Sequence, residues 1–137
     1  PDIAYAHLFS YFRGEEWRTQ KETQRLLDKY FTTKPNGIPG NDDTGTMSAW
    51  AIFNMIGFYP DCPGLPEYTL TTPVFNKVTI RLDPKWYKEK ELVIESNRTQ
   101  PGTLYINKVL LNGKKFNQYR ITHDELVHSQ RILFDLK

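Results

Sequence analysis

Hydrophobic positions change their period once along the chain, near Pro73. Before it, Ile3, Tyr5, Leu8, Phe9 and Phe12 fall near helical spacing, and Gly14 supplies a stop. From Glu16 to Phe31, apolar Trp17, Leu26, Leu27, Tyr30 and Phe31 sit among charged and Gln positions with strong helix formers throughout, which predicts a longer amphipathic helix with a polar outer face. Two helices joined so closely are expected to pack as a hairpin. Thr32 to Gly45 reads as a loop, because Pro35-Asn36-Gly37 and Pro39-Gly40 both break regular structure. Met47 to Ile56 is then apolar almost all round and stops at Gly57. Two helices are too few to cover every side of such a segment, so further sequence upstream is expected to supply the rest.

Prolines at 60, 63, 66 and 73 predict an extended crossing segment without regular structure from Tyr59 to Pro73. Beyond it, Val74–Leu82, Glu91–Ser96, Thr103–Leu111, Lys114–Ile121 and Arg131–Leu136 are short runs of β-branched and aromatic residues with alternation. Turn signals separate them at Asp83-Pro84, at Asn97 to Gly102 and at Asn112-Gly113, the last a two-residue hairpin signal. His123 to Val127 reads as a helical turn. Helices first and antiparallel strands after is the α+β pattern. It divides the chain into a helical part (1–58), a crossing segment (59–73) and a β-rich part (74–137).

A length of 137 residues suits one domain with a real core. Eighteen basic residues against sixteen acidic ones give a formal charge of +2 without a block of like charge, which argues against a nucleic-acid partner. Lys85, Lys88 and Lys90 surround Trp86 and Tyr87, but Glu89 and Glu91 offset them, as in a solvated surface turn. Cys62 is the single cysteine, so no intrachain disulfide forms and the redox compartment stays open. Charge-free stretches such as Thr44 to Tyr59 are too short to span a bilayer, and no signal peptide is read in the chain. A first residue of Pro rather than Met raises the expectation of a preceding segment.

The candidate chemistry centres on Gly37 to Trp50, GIPGNDDTGTMSAW. It admits three readings. One is a plain helix entry, with Thr44 or Thr46 as cap and acids facing the positive end of the dipole. A calcium loop is the second, although the EF-hand pattern needs alternating acids and a Glu at its twelfth position, which this stretch lacks. The third is a catalytic carboxylate on a glycine-rich rim, held still by the buried helix behind it. Elsewhere the plainer readings prevail. His7 is expected to be a packed or rim histidine, because no metal-ligand spacing surrounds it. His123 and Asp124 are expected to cap a helical turn. Ser48 lies in no G-x-S-x-G elbow. Asn97-Arg98-Thr99 is a formal glycosylation sequon, meaningful only in a eukaryotic secretory context.

Taken together, Gly40-Asn41-Asp42-Asp43-Thr44-Gly45-Thr46-Met47-Ser48-Ala49-Trp50, Gly57-Phe58-Tyr59-Pro60, Cys62-Pro63-Gly64, Pro66-Glu67-Tyr68 and Pro73-Val74-Phe75 closely resemble the end of the catalytic domain of glycoside hydrolase family 92. Trp17-Arg18-Thr19-Gln20, Leu111-Asn112-Gly113-Lys114 and Ile121-Thr122-His123-Asp124 extend the resemblance over the whole chain. The family consists of exo-acting, calcium-dependent, inverting α-mannosidases.

The resemblance implies the last helices of an (α/α)6 toroid followed by a small antiparallel β-rich tail. It places the general base on Asp43. A supporting acid of the family falls on position 41, where this chain has Asn41; an amide cannot accept the proton, so Asn41 is left to orient water or a sugar hydroxyl. Asp42 is expected to assist by hydrogen bonding in the substrate-binding loop. Inverting hydrolysis needs two carboxyl groups roughly 6.5–9.5 Å apart, one acid and one base. The family's general acid is a Glu well upstream, and Glu15, Glu16 and Glu22 match no such motif, so the chain is expected to be inactive alone. Calcium is implied with ligands largely upstream and none identified here. A mannose-containing glycan and the upstream part of the same polypeptide are the implied partners, in a periplasmic or extracellular setting. The rival reading is a non-catalytic β-rich module that binds carbohydrate or buttresses another domain, with Trp86, Tyr87 and Tyr105 as stacking candidates.

Overall fold

In the computed structural model, which describes residues 3–137, a 3-10 segment (Tyr5–Tyr11) leads into α1 (Glu16–Tyr30) and α2 (Thr46–Ile56). Strands β1 (Phe58–Tyr59), β2 (Glu67–Leu70), β3 (Lys77–Arg81), β4 (Glu91–Arg98), β5 (Ile106–Leu111), β6 (Lys114–Phe116) and β7 (Arg120–Thr122) follow. The short helix α3 (His123–Val127) and β8 (Arg131–Leu136) complete an α+β fold.

The first segment keeps the tighter 3-10 pattern where helical spacing predicts an α-helix. Seven residues, aromatic at Tyr5, Phe9 and Tyr11 and lacking a side-chain cap, have little intrinsic helix stability. α1 packs on this segment. Its buried face is Thr19, Gln20, Thr23 and Leu27, whereas Trp17 and Tyr30, expected inside, are 41% exposed. Two bonds reach that polar face from different directions: Thr23 Oγ1 donates to Thr19 O at 2.7 Å, and Gln20 Oε1 accepts from Ile106 N of β5 at 2.9 Å. Gln20 thereby joins the helices to the sheet. α2 buries Met47, Trp50, Ala51 and Asn54 and stops at Gly57. There φ is +119°, and a Cβ would lie 2.8 Å from Pro73 Cγ, so the stop and the close passage of the crossing segment both require glycine.

The crossing segment is more regular than its prolines suggest. Pro66 sits just before Glu67, which leaves Glu67–Leu70 free of proline and able to donate to a ladder. β2 is the middle strand of a three-stranded antiparallel sheet, between β1 and β7. The second sheet has the order β3-β4-β8-β5-β6. Here the expectation of an antiparallel tail needs correcting, because β4 and β8 run parallel, Ile94 opposite Ile132. A parallel neighbour needs a long connection, and the chain between Arg98 and Arg131 supplies it; alternation along a strand does not encode its direction. The run Lys114–Ile121 divides, its first part pairing with β5 and its last with β2 in the other sheet. Asn112 and Gly113, with φ of +49° and +80°, make the expected hairpin turn.

Two apolar clusters result. The larger lies under the sheets and includes Leu70, Leu92, Ile94, Ile121, Ile132, Phe134 and Leu136. The smaller, of Ala6, Leu27, Trp50, Ala51 and Tyr59, holds α2 against the first segments. Phe53 packs against both.

Candidate active site

The loop before α2 is closed by a left-handed turn. Asp43, Thr44 and Gly45 have φ of +48°, +58° and +95°. Only Gly45 adopts such a backbone without strain; for Asp43 and the β-branched Thr44 the cost is on the order of 1–3 kcal/mol each. Surrounding bonds sustain it. Asp43 O accepts from Thr46 N at 3.3 Å, Thr44 Oγ1 at 2.6 Å and Thr46 Oγ1 at 2.8 Å, while Asp42 O accepts from Met47 N at 3.1 Å.

The capping role expected of Thr44 or Thr46 belongs to neither. The cap position is Gly45, and Asp42, three residues further back, supplies the acceptor: its Oδ1 takes hydrogen bonds from Ser48 N and Ser48 Oγ, both at 2.8 Å. Those two bonds hold the Asp42 carboxyl below its ordinary range. Asn41 Oδ1 lies 3.4 Å from Asp43 N, at the long end for a hydrogen bond. The Asp43 carboxylate has no hydrogen bond or ion pair among the described residues and is exposed. Of the three candidates, one thus faces outward, one folds back onto the helix, and Asn41 stands between.

Behind the turn α2 is held by an aromatic stack. Trp50 lies against Phe31 with ring centroids 5.5 Å apart and nearly parallel planes, and its Nε1 donates to Ile3 O at 2.8 Å. His7 stacks on Tyr59 at 4.5 Å and donates from Nε2 to Asn54 Oδ1 at 2.9 Å; Asn54 Nδ2 donates in turn to Trp50 O at 2.8 Å. His7 is fully buried, as a packed histidine should be, and burial lowers its pKa from 6.5 against the opposing Asn54 hydrogen bond. A cleft of about 120 Å³ beside the turn is lined by Ile3, Leu26, Tyr30, Phe31, Pro39, Met47 and Trp50, without an ionisable carboxyl or imidazole.

Other expected residues lie apart from this loop in their bonding. Glu15 pairs with Arg18 at 2.6 Å and Glu22 with Arg25 at 2.7 Å, while Glu16 Oε2 accepts from Gly14 N at 2.8 Å. Thr122, not His123, caps α3, in a capping box with Glu125. His123 instead meets Tyr68 Oη at 2.9 Å and Tyr87 Oη at 3.4 Å. Tyr105 packs edge-on against Trp17, and Trp86 is 72% exposed. Asn97 is exposed near the end of β4. Among the described residues no three His, Cys, Asp or Glu side chains gather as a group that could hold a metal ion.

Ser48 was not expected to matter; its spacing from Asp42 is the signal that marks it, being the third residue of the helix opposite an upstream acid. Arg120 was also not singled out. It donates from Nη1 to Asp61 Oδ2 at 3.2 Å and to Thr69 Oγ1 at 2.8 Å, and from Nε to Glu67 Oε2 at 3.2 Å, with its guanidinium 4.3 Å from the centre of the Tyr11 ring. Burial pushes the Asp61 carboxyl up, but hydrogen bonds from Thr69, Tyr11 and Arg120 and the Arg120 charge outweigh it and leave it lowered.

The fold and the loop are those of a glycosidase family. Residues 1–137 match the glycosyl hydrolase family 92 catalytic domain, and the chain belongs to that family. It is similar to the α-mannosidase BT3965 of Bacteroides thetaiotaomicron, solved in complex with mannoimidazole, with a TM-score of 0.88 and 30% identity over 98% of this chain and 17% of that one. The inverting mannosidase BT2199 of Bacteroides thetaiotaomicron gives a TM-score of 0.77 and 36% identity over 89% of this chain and 16% of that one. An uncharacterized secreted glycosidase of Arthroderma benhamiae is 28% identical over 124 residues, 90% of this chain and 16% of that protein. The chain thus spans only a small part of the length of its relatives.

Proposed function

We propose that this chain carries the general base of an inverting, exo-acting α-mannosidase, and that the base is Asp43. The observation that supports it most is the Asp43 carboxylate itself, exposed and unpaired at the apex of a strained turn whose backbone is fixed on both sides. Strain of this kind clusters at functional sites. A base needs a free lone pair aimed at water, and among the described residues none donates to either carboxylate oxygen of Asp43. Asn41 beside it orients that water or a sugar hydroxyl, and Asp42 acts through the loop. The partner carboxylic acid stands outside this chain, as do the remaining helices of the toroid; the exposed side chains of Tyr5, Leu8, Phe12 and Ile52 are apolar surface of the kind such helices cover. Calcium belongs to this proposal as a group whose ligands lie largely outside the chain, and a mannose-containing glycan in a periplasmic or extracellular setting as its substrate.

In this mechanism Asp43 takes a proton from water as the water attacks the anomeric carbon from the face opposite the leaving group, and the external acid protonates the departing oxygen. Configuration inverts. In the full-length parent protein Asp43→Asn should lower kcat about 10²- to 10⁴-fold with little change in KM, measured on an aryl α-mannoside. Turnover close to that of the unsubstituted protein would place the base elsewhere. The isolated 137-residue chain should release no mannose.

A further inference from the structure

The carboxylate of the proposed base is held by none of the described residues, yet Asp43 sits on a backbone that an isolated Asp-Thr dipeptide would avoid. What keeps it there is visible one residue earlier. Asp42 spans the whole left-handed turn and fastens to the third residue of α2 through two bonds to a single oxygen, one from Ser48 N and one from Ser48 Oγ. Its own carbonyl accepts from Met47 N. Residues 42 to 48 therefore form a ring closed at both backbone and side chain, with Asp43, Thr44 and Gly45 as its left-handed arc. Trp50 Nε1 donating to Ile3 O and Asn54 Oδ1 accepting from His7 Nε2 tie α2 to residues 3–7, so the ring is anchored to a braced element.

We infer that Asp42 is a positioning residue for Asp43, and that Asp42 and Ser48 act as a latch which sets the aim of the base without touching substrate. This rests on the assignment of Asp43 as base and deepens it. The latch uses lone-pair geometry, since both bonds converge on Oδ1 and come from neutral donors. A carboxamide oxygen presents the same acceptor at the same place. A role on substrate or metal would instead need the negative charge. Asn and Ala at position 42 therefore separate the two, because Asn keeps the acceptor and loses the charge, while Ala loses both.

The test uses the full-length parent protein with Asp42→Ala, Asp42→Asn and Ser48→Ala, and Asp43→Asn in parallel. Steady-state kinetics on an aryl α-mannoside are combined with hydrogen exchange of the segment 41–50. Asp42→Ala should lower kcat about 10- to 100-fold with KM little changed, the size expected when a catalytic group is misplaced by about an ångström. Asp42→Asn should recover most of that loss, and Ser48→Ala should fall between, since it keeps the Ser48 N–H bond. Exchange at the amides of Thr46 to Ser48 should accelerate in Asp42→Ala and return toward the native rate in Asp42→Asn. If Asp42→Asn is as impaired as Asp42→Ala, the charge matters and the latch is overturned. Native kcat and native exchange in Asp42→Ala would overturn it equally. Full turnover in Asp43→Asn sinks the base assignment instead, and the exchange result then still decides whether Asp42 fixes the turn.

Discussion

The β-rich half and the helical half are finished to different degrees. Under the sheets, Leu92, Ile94, Ile121, Ile132, Phe134 and Leu136 are each no more than 2% exposed, so that core is closed by the chain itself. In the helical half, Trp50 and Leu27 are buried, but Ile52 of α2 and Tyr5, Leu8 and Phe12 in and just after the 3-10 segment are between 47% and 63% exposed. A sheet closed on its own core serves as a foundation, and helices open on one side are a surface prepared for something else. The proposed base lies on the open half, at the entry to α2, whose rear is braced by Tyr59 and Thr71 of the crossing segment.

The contrast is sharpest at single core positions. Phe134→Ala should destabilise the protein by about 3–5 kcal/mol, whereas Leu8→Ser in the same chain should change stability by less than about 0.5 kcal/mol, both by urea unfolding. Equal costs would mean that the two halves are equally closed. Next in size is the tie between the halves. Arg120→Ala removes the partner of Asp61, whose side chain is only 2% exposed, and should cost about 3 kcal/mol; a loss below about 1 kcal/mol would show the pair to be dispensable. Smaller still is the effect of acid on the helical half. Burial depresses the pKa of His7, so the unfolded chain takes up the proton first: the contribution is whole above pH 6.5 and declines as pH falls from there through the lower folded value. His7→Gln should flatten that limb of the stability profile. An unchanged profile would mean that another group titrates there.

Much of this division was readable in the sequence, for reasons that differ between elements. α1 and β8 have the bounds that their periodicity suggests to within a residue, because each has one consistent environment along its length. The Asn112-Gly113 hairpin follows from two positive φ angles that those residues tolerate best. What was not readable depends on partners distant in sequence. Gln20 looks like part of a polar outer face, and only the unpaired amide of Ile106 gives it a reason to be buried. Glu67–Leu70 looks like the end of a proline-rich crossing until Ile121 is placed opposite Tyr68. At the candidate site the acids were evident as types, yet which one turns outward was not, since Asp42 and Asp43 are adjacent and identical. Backbone handedness separates them, and that is set by the whole ring from Asp42 to Ser48.

The parallel pairing of β4 with β8 also has a consequence in time. β8 lies in the middle of the five-stranded sheet yet is the latest of its strands along the chain, so β4 and β5 have no shared neighbour until residues 131–136 have been synthesised. Pairing between such distant segments is slow to nucleate. As the chain leaves the ribosome, α2 and its turn emerge long before the sheet that supports them can close. The loop that bears Asp43 is therefore made, with both partners of its Asp42–Ser48 bonds, well before the sheet beneath it can close.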